Sequence, residues 1–214
     1  MSPAGGSEFR LDGRRALVTG ASRGIGRAIA IGLARYGAHV LVHYHRDQGA
    51  AADVLQVIRA AGGSAAALQA DLIDPDAGAS LADAAIATGP LDILVLNTSI
   101  QERRPLAEID HELLLRHVHA NFWSAIQLIQ AAVPGMRQRR WGRILGIGSV
   151  QQVRPNPNLL VYAGLKSALS NAMRGLSRAH AAFGITANTL APGLIDTDRN
   201  ARSEEHTSEL QSLV

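Results

Sequence analysis

The sequence predicts an α/β domain organised as a doubly wound parallel sheet, and three observations point to it. Short β-rich runs alternate with longer stretches of helical periodicity. A glycine-rich turn joins the first such run to the first helix. The 214 residues, 47% apolar and 18% charged, suit one domain around one core.

Each element has its own warrant. Arg15 to Thr19 reads as a buried strand, and Ile25, Ile29, Leu33 and Tyr36 then recur at helical spacing. His39 to Tyr44 is a second strand. A helix carrying Val54, Leu55 and Ile58 leads to a third strand ending near Ala70. Asp92 to Leu96 is a fourth strand, followed by a long helix from Glu112 to Met136 and a fifth strand from Arg143 to Ile147. A helix from Tyr162 to Ala182 and a strand from Thr186 to Leu190 complete the pattern. Right-handed crossovers make such a series a parallel sheet with helices on both faces.

Composition narrows the function classes. Twenty-one glycines and only 4% aromatics indicate tight helix packing and backbone turns, and they exclude a disordered or collagen-like chain. With no cysteine there is neither a disulfide framework nor a thiolate zinc site, so a cytoplasmic setting is expected. No apolar run reaches the ~18 residues of a membrane span, and MSPAGGSEFR lacks the layout of a signal peptide. Neither membrane nor nucleic acid is expected as a partner. The net charge is only +3, and the cluster Arg137 to Arg143 follows a helical pattern, where cations favour the C-terminus.

The end of the chain departs from this pattern. Apolar periodicity stops after Asp198, and residues 202–212, RSEEHTSELQS, match the in-frame translation of a widely used sequencing-library adaptor. This segment is expected to be a non-native tail on a truncated reading frame, residues 10–198 the domain, and residues 1–9 a flexible N-terminus.

The strongest motif is Thr19-Gly20-Ala21-Ser22-Arg23-Gly24-Ile25-Gly26. Between a strand and a helix, Gly20, Gly24 and Gly26 permit a sharp turn and close backbone approach. The helix then aims free N–H groups at a pyrophosphate. Ser22, Arg23 and Ile25 belong to the same cradle. The second strand ends in His43-Tyr44-His45-Arg46, at the place where an acid would receive the ribose of NAD and a base the 2′-phosphate of NADP. With no acid at Tyr44, and with Arg23 and Arg46 at hand, NADP(H) is favoured; Asp47 keeps NAD(H) open.

A second constellation is Ser149, Tyr162 and Lys166. Tyrosine and lysine four residues apart share one helix face. A phenol, with its pKa of about 10, works near neutral pH when a fixed ammonium stabilises the phenolate. Lys166 is the only lysine among 21 basic side chains, which suggests a task for which guanidinium is unsuited. His117 and His119, two apart on a helix, face differently and do not read as a metal site. No metal is expected.

Taken in order, TGASRGIG, Asp71, Asn97, Asn121, the Ser149–Tyr162–Lys166 set and Pro192-Gly193 resemble the short-chain dehydrogenase/reductase family in its compact form. The likeness covers nearly all of Arg10 to Asp198 and implies a Rossmann fold. It implies that Tyr162 donates a proton to a carbonyl oxygen, that Ser149 orients this oxygen, and that Lys166 binds the nicotinamide ribose. Asn121 would support a water-linked proton relay. Asp71 and Leu72 would contact adenine, Asn97 would flank the adenosine side, Pro192 and Gly193 would line the site after the sixth strand, and Ile195 to Thr197 would approach the carboxamide.

Against the family's usual Asn-Asn-Ala-Gly stands Leu96-Asn97-Thr98-Ser99. The family's last strand and substrate-covering segment are not read here, which leaves the sixth strand as an edge. The expectation is therefore an NADP-dependent oxidoreductase acting on a small-molecule carbonyl or alcohol, with 3-oxoacyl thioesters and sugars as the nearest substrate classes, and a homodimer or homotetramer in the intact form. The alternative is a catalytically silent dinucleotide-binding or oligomerisation module.

Overall fold

The computed structural model describes residues 9–195. Thr197 and the tail 202–212 lie outside the described residues, as does all of the N-terminal segment but Phe9.

Among the described residues, six strands and six main helices follow in the order β1 (Arg15–Val18), α1 (Gly24–Arg35), β2 (His39–Tyr44), α2 (Gln48–Ala60), β3 (Ser64–Gln69), α3 (Ala77–Ala87), β4 (Ile93–Leu96), α4 (His111–Val118), α5 (Ser124–Arg139), β5 (Gly142–Ile147), α6 (Leu160–His180) and β6 (Ile185–Leu190). The strands form one sheet in the order β3-β2-β1-β4-β5-β6, and every pairing is parallel. The direction of winding reverses between β1 and β4. Their carboxyl ends therefore open a crevice at the switch point.

Strand alternation builds a core on each face of the sheet. Leu17, Leu41, Leu94 and Ile144 point to the side covered by α3, α5 and α6, where Leu81, Leu128, Met136 and Leu169 meet them. Ala16, Val18, Val40, Val42 and Val95 point to the other side, against Ala30, Ala34, Val54 and Ile58 of α1 and α2. Burial on both faces explains why these strands read as continuous apolar runs.

Two elements differ from the sequence expectation. Helix α3 lacks a sharp apolar stripe in its sequence AGASLADAAIA, yet Gly78, Leu81, Ala82 and Ala85 are buried at helical spacing. Its stripe is made of the smallest side chains, so periodicity has little contrast. The long helix from Glu112 is interrupted by a π-turn at His119–Trp123 that separates α4 from α5. Apolar spacing reports which residues face inward and says nothing of where the backbone hydrogen bonds widen. Among the described residues β6 is an edge strand.

The arginine cluster is held by the fold. Arg137 lies over Phe183, and Arg139 donates to the Asp92 carboxylate and the Leu91 carbonyl. Arg140 donates to the Ala182 carbonyl, while Arg143 stacks on Trp141.

Candidate active site

The turn after β1 is a fitting place for an anionic dinucleotide. Gly20 and Gly24 have φ of +61° and +55°, the left-handed region that favours glycine. A Cβ on Gly26 would lie 2.3 Å from the Gly20 carbonyl oxygen and 2.6 Å from the Asn97 amide nitrogen, so only glycine lets α1 pack this close. No side chain caps α1 at Arg23, and its first-turn N–H groups are left to receive an anion. Arg23 is exposed, while Ser22 and Ile25 are half-buried beside it.

Residues not singled out from the sequence hold this turn in place. Thr19 accepts the N–H groups of Asn97 and Thr98 on its hydroxyl, at 2.8 and 3.0 Å, while that hydroxyl donates to the Val95 carbonyl. His43, 1% exposed, accepts the Gly20 N–H on Nδ1 at 2.9 Å and meets the Ala70 carbonyl with Nε2 at 3.2 Å. Burial lowers its pKa from 6.5 to about 4, against smaller raising effects of the Ala70 carbonyl and Asp71 and with a small lowering effect of His45. The sequence did carry a signal: alternation puts His43 on the same buried face as Leu41, and a polar side chain there needs partners.

Four residues expected on the adenosine side are placed by the packing around them. The Tyr44 ring belongs to the core. Leu72 is likewise a core side chain. Asn97 donates its amide to the carbonyls of Thr19 and Gly20 at 2.9 and 3.1 Å, and so closes the turn. Asp71 is engaged on both oxygens, with Ile73 N–H at 3.1 Å and His45 Nε2 at 3.1 Å. In each case packing sets the direction of the side chain.

Charge around the end of β2 is asymmetric. Asp47, the acid that kept NAD open, accepts from the Ala50 N–H as the cap of α2. Arg46 is exposed like Arg23, and neither is in an ion pair among the described residues.

The other half of the crevice gathers the second constellation. Ser149 follows β5 in an extended conformation and accepts from the Gln151 N–H at 3.2 Å. Tyr162 and Lys166 lie on the inner face of α6, 6% and 2% exposed. The Lys166 ammonium donates to the Ile147 carbonyl at 2.7 Å and stands 5.7 Å from the centre of the Tyr162 ring. The Pro192 carbonyl accepts from the Val150 N–H at 3.0 Å, drawing the segment after β6 to the one after β5. Gly193 has open space around it, and Ile195 is exposed nearby in sequence.

Asn121 sits in the π-turn, 2% exposed. Both ends of its amide are bound to the backbone of Ile100. His117 bonds Leu113 and Glu102, whereas His119 bonds Ile73, so the two rings diverge. Among the described residues there is no cluster of three or more metal-type ligands, and no helix is long and apolar enough to cross a membrane.

A doubly wound sheet with a glycine cradle and a Ser–Tyr–Lys set at one crevice defines a nucleotide-dependent oxidoreductase of the Rossmann type. Residues 14–208 match the family described as short chain dehydrogenase, and the chain belongs to that family. Gluconate 5-dehydrogenase of Gluconobacter oxydans is 37% identical over 213 residues, covering 94% of this chain and 80% of the relative. The 3-oxoacyl-[acyl-carrier-protein] reductase FabG of Pseudomonas aeruginosa is 36% identical over 200 residues, covering 93% and 81%. Among solved structures, 3-oxoacyl (acyl-carrier-protein) reductase from Agrobacterium tumefaciens C58, with NADP bound, superposes with a TM-score of 0.89 at 44% identity, covering 94% of this chain and 78% of that one.

Proposed function

We propose that the chain interconverts a small-molecule carbonyl and its alcohol with NADP(H), Tyr162 acting as the general acid and base. The observation that carries this reading is the buried Lys166 ammonium, anchored on the Ile147 carbonyl beside the Tyr162 ring. When bound, the reduced dinucleotide supplies hydride to the carbonyl carbon. Tyr162 gives its phenolic proton to the carbonyl oxygen, and the alcohol forms. Ser149 holds that oxygen by its hydroxyl, and Lys166 keeps a positive charge near the phenol through the transfer. Asn121 acts as a positioning residue for the segment that follows β4.

Preference for NADP(H) over NAD(H) rests on the charges at the end of β2. Arg23 and Arg46 are available for a 2′-phosphate, whereas Asp47 and Asp71 are engaged in local bonds. Several solved relatives carry NADP in their crystals, which supports the same choice.

Titration of NADPH and of NADH by fluorescence, followed by turnover on a panel of 3-oxoacyl thioesters, sugars, sugar acids and simple ketones, tests the proposal. Binding of NADPH with oxidation on one substrate class is expected. Binding without turnover across the panel would assign the chain to the silent dinucleotide-binding module instead.

A further inference from the structure

His43 grips the phosphate-binding turn at two successive amides. Its imidazole Nδ1 takes the Gly20 N–H at 2.9 Å, and its backbone carbonyl takes the Ala21 N–H at 2.8 Å. The other ring nitrogen reaches the Ala70 carbonyl at 3.2 Å, one residue before Asp71. These partners dictate the form of the ring. An N–H of Gly20 can only donate, so Nδ1 is the bare acceptor; a carbonyl can only accept, so Nε2 carries the hydrogen.

The arrangement also settles which amides are left for the ligand. With Gly20 and Ala21 occupied, the donors left for a pyrophosphate come from the amides after Ala21, among them those of the first turn of α1, which no side chain caps. The same ring joins the turn to the end of β3. One buried side chain thus links the pyrophosphate half and the adenosine half of the crevice, and neither half can shift without breaking a bond to it.

We propose that His43 is a positioning residue for the dinucleotide: its imidazole, in the Nε2–H form, sets the conformation of the phosphate-binding turn and ties it to the loop after β3. The proposal rests on the dinucleotide reading above, and packing alone does not account for it. Leucine would fill much of the same space, but it would leave the part-buried Gly20 N–H without its acceptor.

The test uses the whole chain and three readouts. Nitrogen-15 spectra of the histidine-labelled protein should show a bare Nδ1 and a protonated Nε2 for His43 from about pH 6 to about pH 8. The opposite tautomer, or a cation in that range, would overturn the assignment without any variant. Calorimetric titration with NADP+ should find His43→Leu weaker by about tenfold or more, and His43→Asn, which keeps an acceptor near the place of Nδ1, within about threefold of wild type. Wild-type affinity in the leucine variant, or an asparagine variant as weak as leucine, refutes the positioning role. The Gly20 amide of the cofactor-free chain should exchange slowly in wild type and His43→Asn and fast in His43→Leu; rapid exchange in wild type counts against the clasp. Should wild type bind no NADP+, the dinucleotide reading falls, and the tautomer and exchange measurements still decide whether the ring holds the turn.

Discussion

Asn121 closes both hydrogen bonds of its amide on the backbone of Ile100, accepting the N–H at 2.8 Å and donating to the carbonyl at 3.0 Å. A two-way bond of this kind needs one donor and one acceptor on the same side chain. Asn121→Leu should therefore destabilise the chain by about 1–3 kcal/mol, through two part-buried backbone groups left unpaired. Asn121→Asp should not restore it, because its second oxygen faces the Ile100 carbonyl. Thermal melts of both variants check this. An aspartate variant as stable as wild type would show that the donated bond contributes nothing.

Tyr162→Phe removes one oxygen from a buried ring and leaves its packing intact. Loss of the proton donor should lower kcat by about 100-fold or more, with NADPH affinity within about twofold of wild type. Comparable turnover by the phenylalanine variant on the substrate found in the panel would remove Tyr162 from the chemistry.

For Lys166 the informative change is to methionine, similar in length and uncharged. The lost ammonium vacates the Ile147 carbonyl and the neighbourhood of the phenol. A fall in kcat of about 100-fold is expected together with weaker cofactor binding. A variant with kcat unchanged and only KM raised would restrict Lys166 to ground-state binding.

Burial holds the His43 pKa at about 4 in the folded chain, below its ordinary 6.5, so folding favours the neutral ring. The stability tied to that neutrality is complete above about pH 6.5. It is lost progressively as pH falls toward 4 and amounts to something on the order of 3 kcal/mol. The facing groups act in opposite senses: His45 lowers the pKa of the ring, and Asp71 raises it. Denaturant melts across this window should slope downward with acid in wild type and more weakly in His43→Asn. Parallel slopes would contradict the assignment.

Arg46 and Arg23 can be tested as a pair. Each single alanine variant should lower affinity for NADPH by about five- to tenfold and leave NADH nearly unchanged, since a charge-assisted bond to the 2′-phosphate is lost from one ligand only. Equal losses for both nucleotides would show that the arginines serve the pyrophosphate instead.

Much was legible in the residues alone. The alternation of strands and helices, the glycine turn, and the Tyr162–Lys166 spacing are local patterns, governed by backbone geometry within a few residues. They therefore survive whatever surrounds them. That the sheet is parallel, with helices on both faces, follows nearly as directly, because crossovers have one hand. Helix α3 escaped notice because alanine and glycine give no contrast between its faces.

What the tertiary structure alone decided is direction and partnership. That Asn97 closes the turn, that Asp71 answers His45 and the Ile73 N–H, that Tyr44 joins the core, and that Asn121 clasps Ile100 all depend on chain segments distant in sequence. A polar side chain takes whichever partner the packed neighbours present. That choice is made by contacts across strands and loops, where sequence spacing carries no information about distance.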